Sequence, residues 1–117
     1  MRSMPSRAVE TPLRDILYHC DLATQFVSGM DFEAFDEDLR TVYAVTRCLG
    51  IISEASPRLP DALKSRNPTI AWRQMAAAGN VYRHNYEDVG AHYVWDTVKH
   101  DLQPLRAVVE EELSRPE

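Results

Sequence analysis

The stretch Val94-Trp95-Asp96-Thr97-Val98-Lys99-His100-Asp101-Leu102-Gln103-Pro104-Leu105-Arg106-Ala107-Val108-Val109 decides the fold class. Its apolar residues, Val94, Trp95, Val98, Leu102, Leu105, Val108 and Val109, recur every three or four positions, the period of one face of an α-helix. Pro104 lies inside the stripe, where it removes a backbone donor and crowds the carbonyl four residues earlier. Because the stripe stays in phase beyond the proline, the spacing predicts a bent helix rather than a broken one. This helix is expected to follow a short loop near residues 88–90 and to run to about Leu113.

The same period appears upstream. Leu39, Val42, Val45, Leu49 and Ile52 form a stripe, widened by Tyr43, Ile51 and Ala55, in a segment from Asp36 to Ser56 that Pro57 ends. Gly50 inside it costs about 1 kcal/mol of helix propensity relative to alanine and suits a close helix approach. Thr11-Pro12 gives a start signal for a first helix carrying Leu13, Ile16, Leu17, Cys20 and Val27, and Ser28-Gly29 gives a left-handed cap. Asp31 to Asp38, acidic with Phe32 and Phe35, is a short connection, helical or not. Leu59 to Arg66 reads as a short helix closed by Asn67-Pro68. A further helix covers about Ile70 to Asn85, with Trp72, Met75, Ala76, Val81 and Tyr82 as its apolar residues. Its run Ala76-Ala77-Ala78-Gly79 leaves one side thin enough for close packing. No segment alternates with period two, and there are no internal repeats. The expected fold is all-α: an up-and-down bundle of four main helices plus one short helix. Residues 1–10 are expected to form a short polar tail and residues 11–114 a single domain. The apolar stripes belong to a core, and no cofactor is expected.

Composition agrees with that class. The 117 residues are 44% hydrophobic and 26% charged, ordinary for a globular domain and unlike a disordered chain. Cys20 and Cys48 lack the paired spacing of a zinc site and sit in helical patterns, so they are expected to be structural thiols. Met1 to Arg7 is polar, contains Pro5 and has no apolar signal region; no stretch approaches the roughly 18 apolar residues of a membrane span. The expected location is cytoplasmic. The net charge of −5 argues against broad nucleic-acid binding, so any contact with RNA requires a local basic site.

The densest chemistry lies in Asn80-Val81-Tyr82-Arg83-His84-Asn85-Tyr86. Histidine titrates near neutrality and serves as general acid or base, and a guanidinium fork suits a phosphate. Together they have the chemistry to cleave RNA without a metal: His84 exchanges a proton with the ribose 2′-OH or the leaving oxygen, and Arg83 offsets charge on the phosphorane. The other reading is a helix C-terminus whose basic groups complement the helix dipole. Elsewhere, His92, Asp96 and His100 recur at intervals of four but make an incomplete ligand set, and they read as polar side chains on the solvent-facing side of a helix. His19 reads as a packing residue, and Glu110-Glu111-Glu112 as a solvated face.

From Leu13-Arg14-Asp15-Ile16 to Leu105-Arg106 the chain resembles the HepT-like toxins of the HEPN superfamily. The resemblance is carried by Asp31 to Phe35, Arg47, Ile51-Ile52, Glu54-Ala55 and Pro68-Thr69-Ile70-Ala71-Trp72-Arg73. It continues through Asn80-Val81, His84-Asn85-Tyr86, Val94-Trp95 and Asp101-Leu102. The family motif is arginine, four residues, histidine, any residue, tyrosine; His84 and Tyr86 match its second half. The resemblance implies a helical homodimer with the motif near its interface and metal-independent endoribonuclease activity in a toxin–antitoxin pair. It also implies a minimal nucleotidyltransferase antitoxin as partner, able to adenylylate Tyr86. The site it implies comprises His84 and Arg83 as catalytic groups, supported by Asn80 and Tyr86. The motif arginine, however, would fall at Gly79. Positions 79 and 83 lie one helical turn apart on the same face, so two readings stay open. Either Arg83 supplies the missing charge, or the chain is an inactive helical dimer that binds a nucleotidyltransferase or serves as its substrate. Gly50 and Ser53 also depart from the family's Ile-Ile-Gly-Glu-like stretch.

Overall fold

In the computed structural model, which describes residues 7–84 and 90–115 (side chains of 8–79 and 90–115), each apolar stripe becomes the buried face of a helix. Helix α1 (Arg7–Phe26) buries Leu13, Ile16, Cys20 and Ala23. It starts a turn before Thr11-Pro12. Pro12 is tolerated because its missing N–H removes a single bond, to Ala8, in the opening turns. Past the end of α1, Gly29 takes φ +79°, a conformation that favours glycine.

The acidic connection contains helix α2 (Phe32–Glu37), capped by Asp31, whose Oδ1 accepts from the Ala34 N–H at 2.9 Å. Asp38 caps helix α3 (Leu39–Ala55) in the same way, accepting from the Thr41 hydroxyl at 2.8 Å and the Thr41 N–H at 3.2 Å. These two bonds chiefly, and then the charge of Arg40, hold the Asp38 carboxyl below its usual range.

Along α3 the row Val42, Val45, Leu49 and Ile52 is buried as the spacing predicts. Leu39 and Tyr43 are not: they are 62% and 54% exposed. They belong to a neighbouring row, continued by Thr46, Gly50 and Ser53, whose small buried half is covered while its large N-terminal half stays open. A 3₁₀ turn (Ser56–Arg58) and the short α4 (Asp61–Ser65), with Leu63 buried, lead to α5 (Trp72–His84). Gly90, at φ +77°, precedes α6 (Ala91–Asp96), which continues through a π-helical turn (Thr97–Asp101) into α7 (Leu102–Ser114).

The irregularity expected at Pro104 therefore sits one turn earlier. Pro104 cannot donate to the His100 carbonyl, and the wider π turn that ends there absorbs the missing bond. The row Val94, Val98, Leu102, Leu105 and Val109 remains in phase and is buried throughout.

Helices α1, α3 and α7 pack around one core; α5 lies against α3, and α2 against α6. Phe35, fully buried, meets Trp95 with ring centroids 5.2 Å apart. The four long segments and short α4 match the expected all-α bundle, with α2 as a second short helix, and no strand occurs among the described residues. Cys20 and Cys48 are both free and buried, and burial first of all pushes their thiols up to about 12 and about 11. Among the described residues no helix is long and apolar enough to cross a membrane.

Candidate functional site

Helix α5 carries most of the predicted site, and its first turn is held by a polar brace that reaches across the bundle. The Trp72 indole Nε1 donates to the Asn67 carbonyl at 2.9 Å. The Asn67 side-chain Nδ2 donates to the Leu63 carbonyl at 2.8 Å and to Glu112 Oε2 at 2.9 Å. Arg66 grips the same carboxylate in bidentate fashion, Nε to Oε2 at 3.0 Å and Nη2 to Oε1 at 2.7 Å. The Glu112 side chain is only 5% exposed, so this is a buried acceptor with three donors.

Burial alone would raise the Glu112 carboxyl, but the bonds from Arg66 and Asn67 outweigh it and hold it below its usual range. The solvated reading of Glu110-Glu111-Glu112 is thus corrected at its third member: Glu110 and Glu111 are exposed, whereas Glu112 is not. Its helical phase was the available signal, because Glu112 falls in the row of Leu105 and Val109.

From this brace α5 runs helically to His84. The positions of Asn80, Arg83 and His84 therefore lie on its C-terminal turns, but their side chains, and Asn85 and Tyr86 altogether, lie outside the described residues. The backbone register still orders these positions. Arg73 and Ala77 are exposed, and positions 80 and 84 continue their row at i+7 and i+11. Position 83 follows buried Gly79 by one turn.

Another face of α5 looks into a cleft of about 240 Å³, where Gln74, Met75 and Ala78 meet Ile52 and Ser53 of α3 and Leu102 of α7. By register, positions 80, 83 and 84 fall on the side of α5 away from this cleft. Nearest in character to a pocket, the cleft is thus not where the sequence placed the chemistry.

The other histidines have structural roles or stand apart. His19 Nδ1 donates to the Asp15 carbonyl at 2.7 Å, consistent with packing. His92 stacks on Phe32 with ring centroids 3.9 Å apart. Among the described residues no group of three His, Cys, Asp or Glu has the arrangement to hold a metal ion. Sequence reasoning missed the exposed trio Arg40, Tyr43 and Arg47 on α3, because Tyr43 was assigned to the core stripe.

Comparison with known proteins connects this bundle to one group. Residues 16–112 match the family model described as "Ribonuclease HepT-like". A "Probable ribonuclease HepT" of Thermococcus cleftensis is 38% identical over 98 residues, covering 84% of this chain and 89% of the relative. The "Putative RNase MJ0125" of Methanocaldococcus jannaschii is 32% identical over 103 residues, covering 88% of this chain and 89% of the relative. No solved structure matches.

Proposed function

The chain belongs to the HepT-like ribonuclease family, and we propose that it is the ribonuclease toxin of a toxin–antitoxin pair, an endonuclease that cuts RNA without a metal. The observation that carries this reading is the family match over residues 16–112, a span that includes His84-Asn85-Tyr86 on and just after a helix running to His84.

In the proposed reaction the ribose 2′-oxygen attacks the adjacent phosphorus and loses its proton, while the bond to the 5′-oxygen breaks and that oxygen gains a proton. His84 exchanges one of these protons. Arg83 stands for the motif arginine absent at position 79, its permanent charge meeting the phosphorane oxygens. Asn80 shares the His84 row and supports the strand. Tyr86 supports the site, and its phenol oxygen is the acceptor in adenylylation by a nucleotidyltransferase antitoxin: it bonds to the α-phosphorus of ATP, loses its proton and releases pyrophosphate. A homodimer places two such helix ends along one cleft.

The second reading, an inactive dimer that only binds or is modified by a nucleotidyltransferase, draws on one observation: Gly79 stands where the motif arginine is expected. The products separate the two. Purified protein with a chelator present is expected to cut RNA and leave a 2′,3′-cyclic phosphate, and to spare a strand whose scissile ribose lacks its 2′-hydroxyl. No cleavage, together with adenylate gained on Tyr86 in mass spectra after co-expression with a nucleotidyltransferase, would establish the second reading instead.

A further inference from the structure

The described arginines divide into two sets. Arg14, Arg58, Arg66 and Arg106 each pair with a carboxylate: Glu10, Asp15, Glu112 and Asp21. Arg40 and Arg47 on α3, Arg73 on α5 and Arg115 past the end of α7 are exposed and form no ion pair among the described residues. In a chain of net charge −5, three of these four unpaired guanidinium groups thus lie on the one pair of helices that includes the predicted site.

Their spacing adds a second feature. Arg40, Tyr43 and Arg47 stand three and four residues apart, on one face of α3, and Tyr43 is 54% exposed. A cation, an aromatic ring and a cation in sequence is the pattern by which proteins hold single-stranded nucleic acid, with phosphates on the charges and a base on the ring. The rows holding Arg47 and Arg73 are distinct from those of Leu49, Ile52, Met75 and Ala78, which line the cleft, so neither cation faces it.

The track also meets the helix end that bears His84. Helix α5 packs on the 3₁₀ turn after α3 and on α3 itself, and Met75 shares the cleft with Ile52, so α5 runs back along α3. His84 comes nine residues after Met75 and Tyr43 nine before Ile52. At about 1.5 Å rise per residue both advance about 14 Å, so the end of α5 arrives level with Tyr43. One carboxylate, Glu54, shares the Arg47 row, and the acidic α2 marks the other end.

We propose that Arg40, Tyr43 and Arg47 of α3 and Arg73 of α5 form the track that holds a single-stranded RNA against the end of α5. This rests on the ribonuclease reading and names the substrate surface for it. Binding is read by fluorescence anisotropy of a labelled single-stranded RNA on the full chain carrying His84→Ala, so that cleavage does not intervene.

Replacing Arg40, Arg47 and Arg73 together with alanine is expected to weaken binding at least tenfold. It should also lower the slope of log affinity against log salt by about 2, three phosphate contacts at about 0.7 each. Tyr43→Ala should weaken binding about tenfold and Tyr43→Phe should not, because the ring face carries the stacking. Lys99→Ala, on the π turn, serves as the control and should leave affinity unchanged. A triple variant with unaltered affinity and salt slope overturns the track. If the otherwise unsubstituted triple variant also cuts RNA as well as wild type, with the same KM, the ribonuclease reading survives that failure. Wild-type protein that cuts nothing, beside binding that needs the three arginines, would sink the nuclease reading and keep the track.

Discussion

Glu112→Ala probes the brace between α7, the end of α4 and the start of α5. The substitution removes an acceptor 5% exposed that takes three hydrogen bonds at 2.7–3.0 Å, two of them from a guanidinium. Removing one member of a fully buried ion pair costs about 3–5 kcal/mol. The Arg66 side chain, however, is 37% exposed and stays hydrated when stranded, and Asn67 keeps its bond to the Leu63 carbonyl. Discounting for that solvent access gives about 2–3 kcal/mol. On the usual unfolding entropy per residue, this corresponds to a fall in melting temperature of roughly 8–12 °C for a chain of this size.

The effect also carries a pH signature. The Glu112 carboxyl lies below its ordinary value of 4.5 in the folded protein, so its contribution is complete above that pH. It is lost as pH falls through the folded-state value. Urea titrations of wild type and variant should therefore show a gap that is constant from neutral pH down to about 5 and narrows below about 4.5. A gap under about 0.5 kcal/mol at pH 7, or one that persists undiminished at pH 3, would refute the claim that charged hydrogen bonds hold this corner.

The two thiols, raised to about 12 and about 11 by burial, should be inert to a disulfide reagent at pH 8 in the folded protein and react fully in denaturant, as a simple colorimetric assay can follow. Gly29→Ala should destabilise by about 1 kcal/mol purely through its φ of +79°, because an added Cβ meets nothing within 4 Å; thermal melts that match wild type would remove that cause. Phe35→Ala should cost about 3–5 kcal/mol, since the ring is fully buried against Trp95, and the near-ultraviolet signal of that tryptophan should change with it.

The helices were legible because burial on one side leaves a period, and four long segments carry it. Val94, Val98, Leu102, Leu105 and Val109 can be read as core from spacing alone, even across a π turn, because the wider turn keeps the row in phase. What the period does not encode is which part of a stripe finds a partner. Tyr43 and Glu112 show both sides of this: an apolar residue in a helical row stayed open, and a charged residue in a core row was buried against an arginine 46 residues away in the chain. The position of the π turn was also hidden, since Pro104 announces a missing bond but not which turn widens to absorb it. For the candidate site, sequence supplied residue types and the helix supplies their register; Tyr86 lies beyond the described residues.

The most direct test compares cleavage of one labelled RNA by wild-type protein and by His84→Ala, purified identically. If His84 moves a proton in the reaction, the variant's rate should fall about 10²–10⁴-fold while its melting temperature and RNA affinity stay the same. Equal rates from the two proteins would contradict the account.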